Sequence, residues 1–213
     1  MRTKLNWPIT VLLWVAPMLG AYSNEEAPLV EQKSAICTTN GTIDLDRARK
    51  LRDLVRDQKS SSERLLLLRN DLDESISRCS SAMNAAYAAF LASSYVDIGA
   101  KLSSLQKYEE AIISYKKADS LFVQFPYPNV LWLQALRGEA LAEFSLGNKS
   151  AAEHLASTQV ALAREWVRKQ NFIPQELRYA LSFEVELCDK SGNTTCSQDS
   201  RNEAKDLEQS ARR

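Results

Sequence analysis

Residues Tyr95 to Leu121 read YVDIGAKLSSLQKYEEAIISYKKADSL. Apolar and small residues recur there every three or four positions, first as Tyr95, Ile98, Gly99 and Leu102, then as Tyr108, Ala111, Tyr115 and Ala118. That is the period of a helix with one buried face. The two series are separated by Gln106-Lys107, a polar break too short to do more than turn the chain. The stretch is therefore expected to be two helices folded against each other. Small residues let their backbones approach, and the large ones fill the gaps beside them.

The pattern resembles one tetratricopeptide repeat, a helix–turn–helix unit of about 34 residues. That family places a large residue, Leu-Gly and another large residue on its first helix, then an aromatic, Ala, an aromatic and Ala on its second. Here Gln106 stands where the family has a turn Gly, and Val123 where it has a closing Pro. A second, degenerate unit follows. Leu146-Gly147-Asn148 and Ala152 resemble the turn and the second-helix Ala, while Ala140 stands in the Gly position and Glu139 in the Leu position. The step from Gln106 to Gly147 is 41 residues, and the Phe125-Pro126-Tyr127-Pro128-Asn129 loop accommodates the extra length. The resemblance implies an all-α, TPR-like stack of antiparallel helix hairpins with flanking helices. It also implies protein or peptide binding in a groove lined by the first helix of each unit. Carried over by position, that groove takes Ser93, Val96, Asp97, Ala100, Ser103 and Ser104 from the first unit, and Gln134, Arg137, Leu141 and Phe144 from the second. The Lys and Asn residues of the family's best-known groove, a clamp for a C-terminal carboxylate, are missing from the first unit, so that ligand is not carried over.

Working outward to the N-terminus, Arg2 and Lys4 precede the apolar run Ile9–Leu19, and Ala21 and Ser23 are small residues at −3 and −1 of a cleavage point. This is the pattern of a secretory signal peptide over residues 1–23. The run is too short for an ordinary membrane span, and no later segment reaches about 18 apolar residues. An exported chain, periplasmic or secreted, beginning at Asn24 is the expectation, with no membrane span after cleavage. The full chain has 27 Lys and Arg against 27 Asp and Glu. Such a balance argues against a broad nucleic-acid footprint.

Residues 24–43 are polar and aperiodic and read as an extended leader. Asp44 caps a helical pattern through Leu45, Ala48, Leu51, Leu54 and Val55. A second pattern runs from Leu65 to Met83, and Ser60 with Glu63 has the spacing of a capping box at its start. Residues 44–82 are thus one bent helix or a helix pair. The all-helical domain spans 44–190, with Asn129 as an N-cap, Gly147-Asn148 ending a helix, and Pro174 beginning a terminal capping helix. Residues 191–213 read as a disulfide loop and a flexible polar tail, with Leu207 the only large apolar residue of the tail.

The four cysteines are Cys37, Cys79, Cys188 and Cys196. An even count in an exported chain points to two disulfides. Ser191-Gly192-Asn193 can turn the chain between Cys188 and Cys196, which leaves Cys37 with Cys79. No C-x-x-C spacing and a single His argue against a zinc site. His154 sits within a helical pattern, and the acid clusters Asp71, Asp73, Glu74 and Glu109-Glu110 lie among Lys and Arg as a solvated face would. No phosphate-binding glycine motif is present. The chain is read as a non-enzyme without metal or cofactor. Three Asn-x-Ser/Thr triplets begin at Asn40, Asn148 and Asn193. The alternative to a binding scaffold is a structural role in an envelope or secreted homo-oligomer, motivated by the Leu65–Met83 stripe, which could seed a coiled coil.

Overall fold

A computed structural model of the chain describes residues 44–57, 60–79, 83–124, 129–169 and 174–210. The expected signal peptide, the leader and Cys37 lie outside the described residues. Those described form eight α-helices and no strand. They are α1 (Leu45–Arg56), α2 (Ser62–Arg78), α3 (Ala85–Ser104), α4 (Tyr108–Gln124), α5 (Val130–Ser145), α6 (Lys149–Arg168), α7 (Pro174–Ser191) and α8 (Thr194–Ser210).

Residues 44–79 are two helices. Asp44 caps α1, its Oδ1 accepting from the Asp46 amide at 3.1 Å. The cap of α2 falls one residue after the expected position. Ser61, rather than Ser60, accepts from the Arg64 amide. Ser60 is buried and donates its hydroxyl to the Leu54 carbonyl at 3.0 Å, so it closes the preceding helix instead. The stripe along α2 is used within the chain: Leu65, Leu68 and Leu72 are core residues, and Ile76 and Met83 pack against them. That removes the apolar seam that motivated the coiled-coil alternative.

The remaining six helices form three pairs, α3 with α4, α5 with α6 and α7 with α8, each joined by two or three residues. Helices that touch along their length across so short a link must run antiparallel. All three pairs turn the same way. At the end of the first helix one residue adopts a left-handed backbone: Gln106 at φ 59°, Gly147 at φ 86° and Gly192 at φ 87°. The next amide then reaches back to a carbonyl of the last helical turn. Lys107 bonds Leu102, Asn148 bonds Glu143 and Asn193 bonds Cys188, at 2.8–2.9 Å. These orphan carbonyls need partners, and the left-handed residue supplies the geometry. Glycine tolerates that φ, whereas a side chain with a Cβ is strained there. Gln106→Gly is therefore expected to stabilise the chain by about 1 kcal/mol, measured by urea unfolding. An unchanged or lower midpoint would mean that the Gln106 side chain contributes a contact worth as much as the strain.

The third pair corrects the C-terminal expectation. Thr194 to Ser210 is a helix, not a flexible tail. Its few apolar residues, Ala204 and Leu207, pack against the cluster formed by Leu133, Trp166 and Leu181. Most of its hold is polar and local reasoning does not see it. Ser200 donates to the buried Glu184 at 2.7 Å, Ser197 donates to Asp189 at 2.6 Å, and Arg164 of α6 grips Glu203 through two nitrogens. The Cys188–Cys196 disulfide, with Cα atoms 6.0 Å apart, ties α8 to α7 as expected. Cys79 is disulfide-bonded as well; its expected partner, Cys37, is outside the described residues.

Successive pairs also pack on one another, α4 on α5 and α6 on α7, while α5 touches both α3 and α7. The joint between the first two pairs is Tyr115. Its ring lies against both Gly99 of α3 and Gly138 of α5. A Cβ added at Gly99 would stand 2.8 Å from the ring, and one at Gly138 would stand 2.6 Å from Cε1 and from the phenol oxygen. Ala140, placed by the sequence in the family's Gly position, makes the close approach inside its own pair, against Ala152 and Ala156. Phe122, Trp132 and Trp166 continue the joint as an aromatic series from α4 through α5 to α6, with successive ring centres 5.8 Å apart. No described helix is long and apolar enough to cross a membrane.

Candidate functional site

The ten groove residues lie on α3 and α5 and differ in exposure. On α3, Ala100 and Ser104 are exposed, and Ser93 and Ser103 are half-buried. Val96 is a correction: it is 6% exposed and belongs to the core, so it offers no groove surface. Asp97 is engaged by a helix of the same chain. Its carboxylate accepts from Arg56 Nε of α1 at 2.9 Å. One turn on, Lys101 donates to the Asp57 carbonyl at 2.8 Å, and two turns back the Arg52 guanidinium lies 5.4 Å from the centre of the Phe90 ring. Phe90, Asp97 and Lys101 are spaced by seven and four residues, so they share one face of α3. α1 therefore runs along the face of α3 that holds Asp97, one of the six groove positions, while Ala100 and Ser104 stay exposed.

On α5, Gln134, Arg137 and Leu141 are exposed and lie at i, i+3 and i+7, one above another on a single face. Leu141 is 43% exposed and adds an apolar group to this face. The Arg137 guanidinium sits 4.9 Å from the centre of the Phe183 ring of α7. Stacking on a ring holds a long side chain in one place while leaving its edge able to donate. Phe144 is half-buried and packs on the cluster of Ala140, Ala152, Ala156, Phe183 and Leu187, so it supports the face more than it lines it. Sequence reading missed Tyr179. It is 58% exposed and stands one turn before Phe183 on α7. The signal was an aromatic just outside the apolar register of α7.

Behind this face, between α4 and α5, lies a carboxylate that sequence reading noted only as a departure from the family pattern. Glu139 is 5% exposed. Its nearest cation is Lys116 of α4, with Nζ 3.8 Å from Oε1, and Lys116 also stands 4.0 Å from Glu143. Burial pushes the Glu139 carboxyl up to about 7; Lys116 opposes the shift, while the Asp119 and Glu143 carboxylates add to it. A charged residue in a register otherwise filled by Leu was the available signal. Tyr95 makes a second buried polar junction. Its phenol, raised by burial and by its bond to Asp73, donates to Asp73 Oδ1 at 2.6 Å, and Lys117 donates to the same oxygen. This ties α2, α3 and α4 together.

His154 is exposed on α6. Among the described residues no group of three or more His, Cys, Asp or Glu is arranged to hold a metal ion. The described chemistry is that of a surface able to donate hydrogen bonds and bury apolar groups. No protein-family model matches this chain, and no curated protein matches it significantly.

Proposed function

We propose that the chain is an exported TPR-like scaffold that binds a protein or peptide through the face of α5 and its flanks. The observation that carries this reading is the open strip Gln134, Arg137 and Leu141, with an exposed Tyr179 on the helix whose Phe183 supports Arg137. It combines an amide, a ring-held guanidinium and an aliphatic group on one helix face. Arg and aromatic residues are over-represented among the side chains that dominate binding energy. Three helix pairs with the same turn, each packed on the next, support reading the architecture as a short helical-repeat stack. The export half rests on the residues 1–23 pattern and on the disulfides, which persist in oxidising compartments.

Site-specific photo-crosslinking in the native host tests the binding surface. A crosslinking residue at Leu141 is expected to capture a defined partner. The same residue at Ile113, which is 44% exposed on α4, is expected not to. Arg137→Ala should reduce the Leu141 adduct at least fivefold, because losing an anchor typically costs 1 kcal/mol or more. Identical adduct patterns from both positions would sink the proposal.

A further inference from the structure

The helix lying over α3 has the features of a bound ligand more than of a core element. α1 is twelve residues long, below the length at which an isolated helix holds in water. It buries Leu51 and Val55, one turn apart, in the core cluster. Beside that apolar contact, it meets α3 through an ion pair and a cation–π contact: Arg56 with Asp97, and Arg52 with Phe90. The sequence LDRARKLRDLVR carries four Arg and one Lys against two Asp, so α1 is a basic amphipathic helix. Its fit is incomplete. Arg52 Nε is buried with no hydrogen-bond acceptor among the described residues, although the guanidinium faces the Phe90 ring. A buried donor left unpaired weakens the hold of the segment that carries it.

We propose that the α3 face beneath α1 is a docking site for a basic amphipathic helix of a partner protein, and that α1 is the chain's own occupant of that site. The site selects for two aliphatic side chains one turn apart, an Arg that reaches Asp97, and a second Arg over Phe90. α1 competes from the same chain, so a partner must exceed its tethered local concentration. Displacement uncovers a second face for partner binding, on α3, a helix that α5 touches. This deepens the groove reading and rests on it.

Two measurements on the full chain test it. By hydrogen exchange, α1 amides are expected to exchange at least tenfold faster than those in the middle of α3 and α4, because α1 opens without global unfolding. Equal protection of α1, α3 and α4 would overturn the proposal. By fluorescence anisotropy, a labelled peptide LDRARKLRDLVR is expected to bind the Arg56→Glu chain at least tenfold more tightly than the unaltered chain. A scrambled peptide of the same composition is expected to bind both weakly. Leu51→Ala, which loosens the apolar half of the hold, should act in the same direction. Arg56→Glu touches no core residue, so the result stands even where Leu51→Ala lowers stability. Equal binding of both peptides, or no gain in either variant, would overturn the proposal. So would a dimer in the Arg56→Glu chain by light scattering, with α1 exchanged between copies. Crosslinking at Leu141 reads the α5 face alone, so loss of that signal with the peptide result intact would fail the open-strip reading separately.

Discussion

Gly138→Ala is expected to destabilise the chain by about 2 kcal/mol, although it replaces a helical glycine with the best helix former. The propensity change favours Ala by about 1 kcal/mol. Overpacking a filled contact costs about 1–3 kcal/mol, and the upper end applies here. A Cβ at Gly138 would stand 2.6 Å from Tyr115 Cε1. The ring has little freedom to retreat, because it also lies against Gly99, where there is no room for a Cβ either. The joint between the first two helix pairs must open instead. Chemical unfolding measures the loss. Tyr115→Leu in the same chain should relieve the clash, so the double variant should lose less than the two single changes together. Strict additivity would mean that Tyr115 is not what Gly138 accommodates. A stabilised Gly138→Ala chain would mean that α4 and α5 do not meet at this distance.

Stability that falls as pH rises from about 4.5 to about 7 is the second expected result, and Glu139 is its source. Its carboxyl is raised to about 7 in the folded chain by burial, against a usual 4.5. Near pH 6 the native carboxyl holds its proton and the unfolded one has released it. The native state then binds more protons, so each step up in pH favours unfolding until the native carboxyl also ionises. The shift corresponds to at most about 3 kcal/mol, lost between pH 4.5 and 7 and flat above. The groups facing Glu139 are Lys116 and Asp119 of α4 and Glu143 of α5. Lys116 is well exposed and solvent-screened, so it offsets only part of the penalty. Glu139→Gln removes the charge and keeps the shape. It should be the more stable chain at pH 8, by up to about 3 kcal/mol, and nearly equal at pH 4.5. Urea unfolding across that range reads both effects. Parallel pH profiles for the two chains would place the carboxylate in water rather than between the helices.

Glu139 also marks where sequence reading ends. Its place in a Leu register was legible, but a departure from a pattern does not tell a tolerated surface charge from a buried one. Only α4, lying across it, makes it buried. Gly138 carried less signal still, since its neighbour Ala140 occupied the position the family pattern reserves for a small residue. Both small residues matter, one inside its pair and one between pairs. The groove residues behave likewise. Periodicity placed Asp97 and Arg137 on comparable faces of α3 and α5, yet Arg56 covers the first and Phe183 supports the second.

By itself the sequence determined the all-helical class and most of the points where helices begin and end. Asp44 and Asn129 cap, Pro174 starts α7, and Gly147 ends α5 in a left-handed turn. It also placed the Cys188–Cys196 bond across a short turn. These are local facts. A cap or a turn is decided by hydrogen bonds within a few residues, and a short disulfide loop by the reach of the chain. Only the tertiary structure decided which faces are open. It laid α1 over α3, turned a polar C-terminal stretch into α8 by giving Ser200 the buried Glu184 carboxylate and Ser197 the Asp189 carboxylate, and enclosed Glu139. The reason is that burial is a property of pairs of elements distant in sequence, and no period within one helix names the neighbour that will cover it.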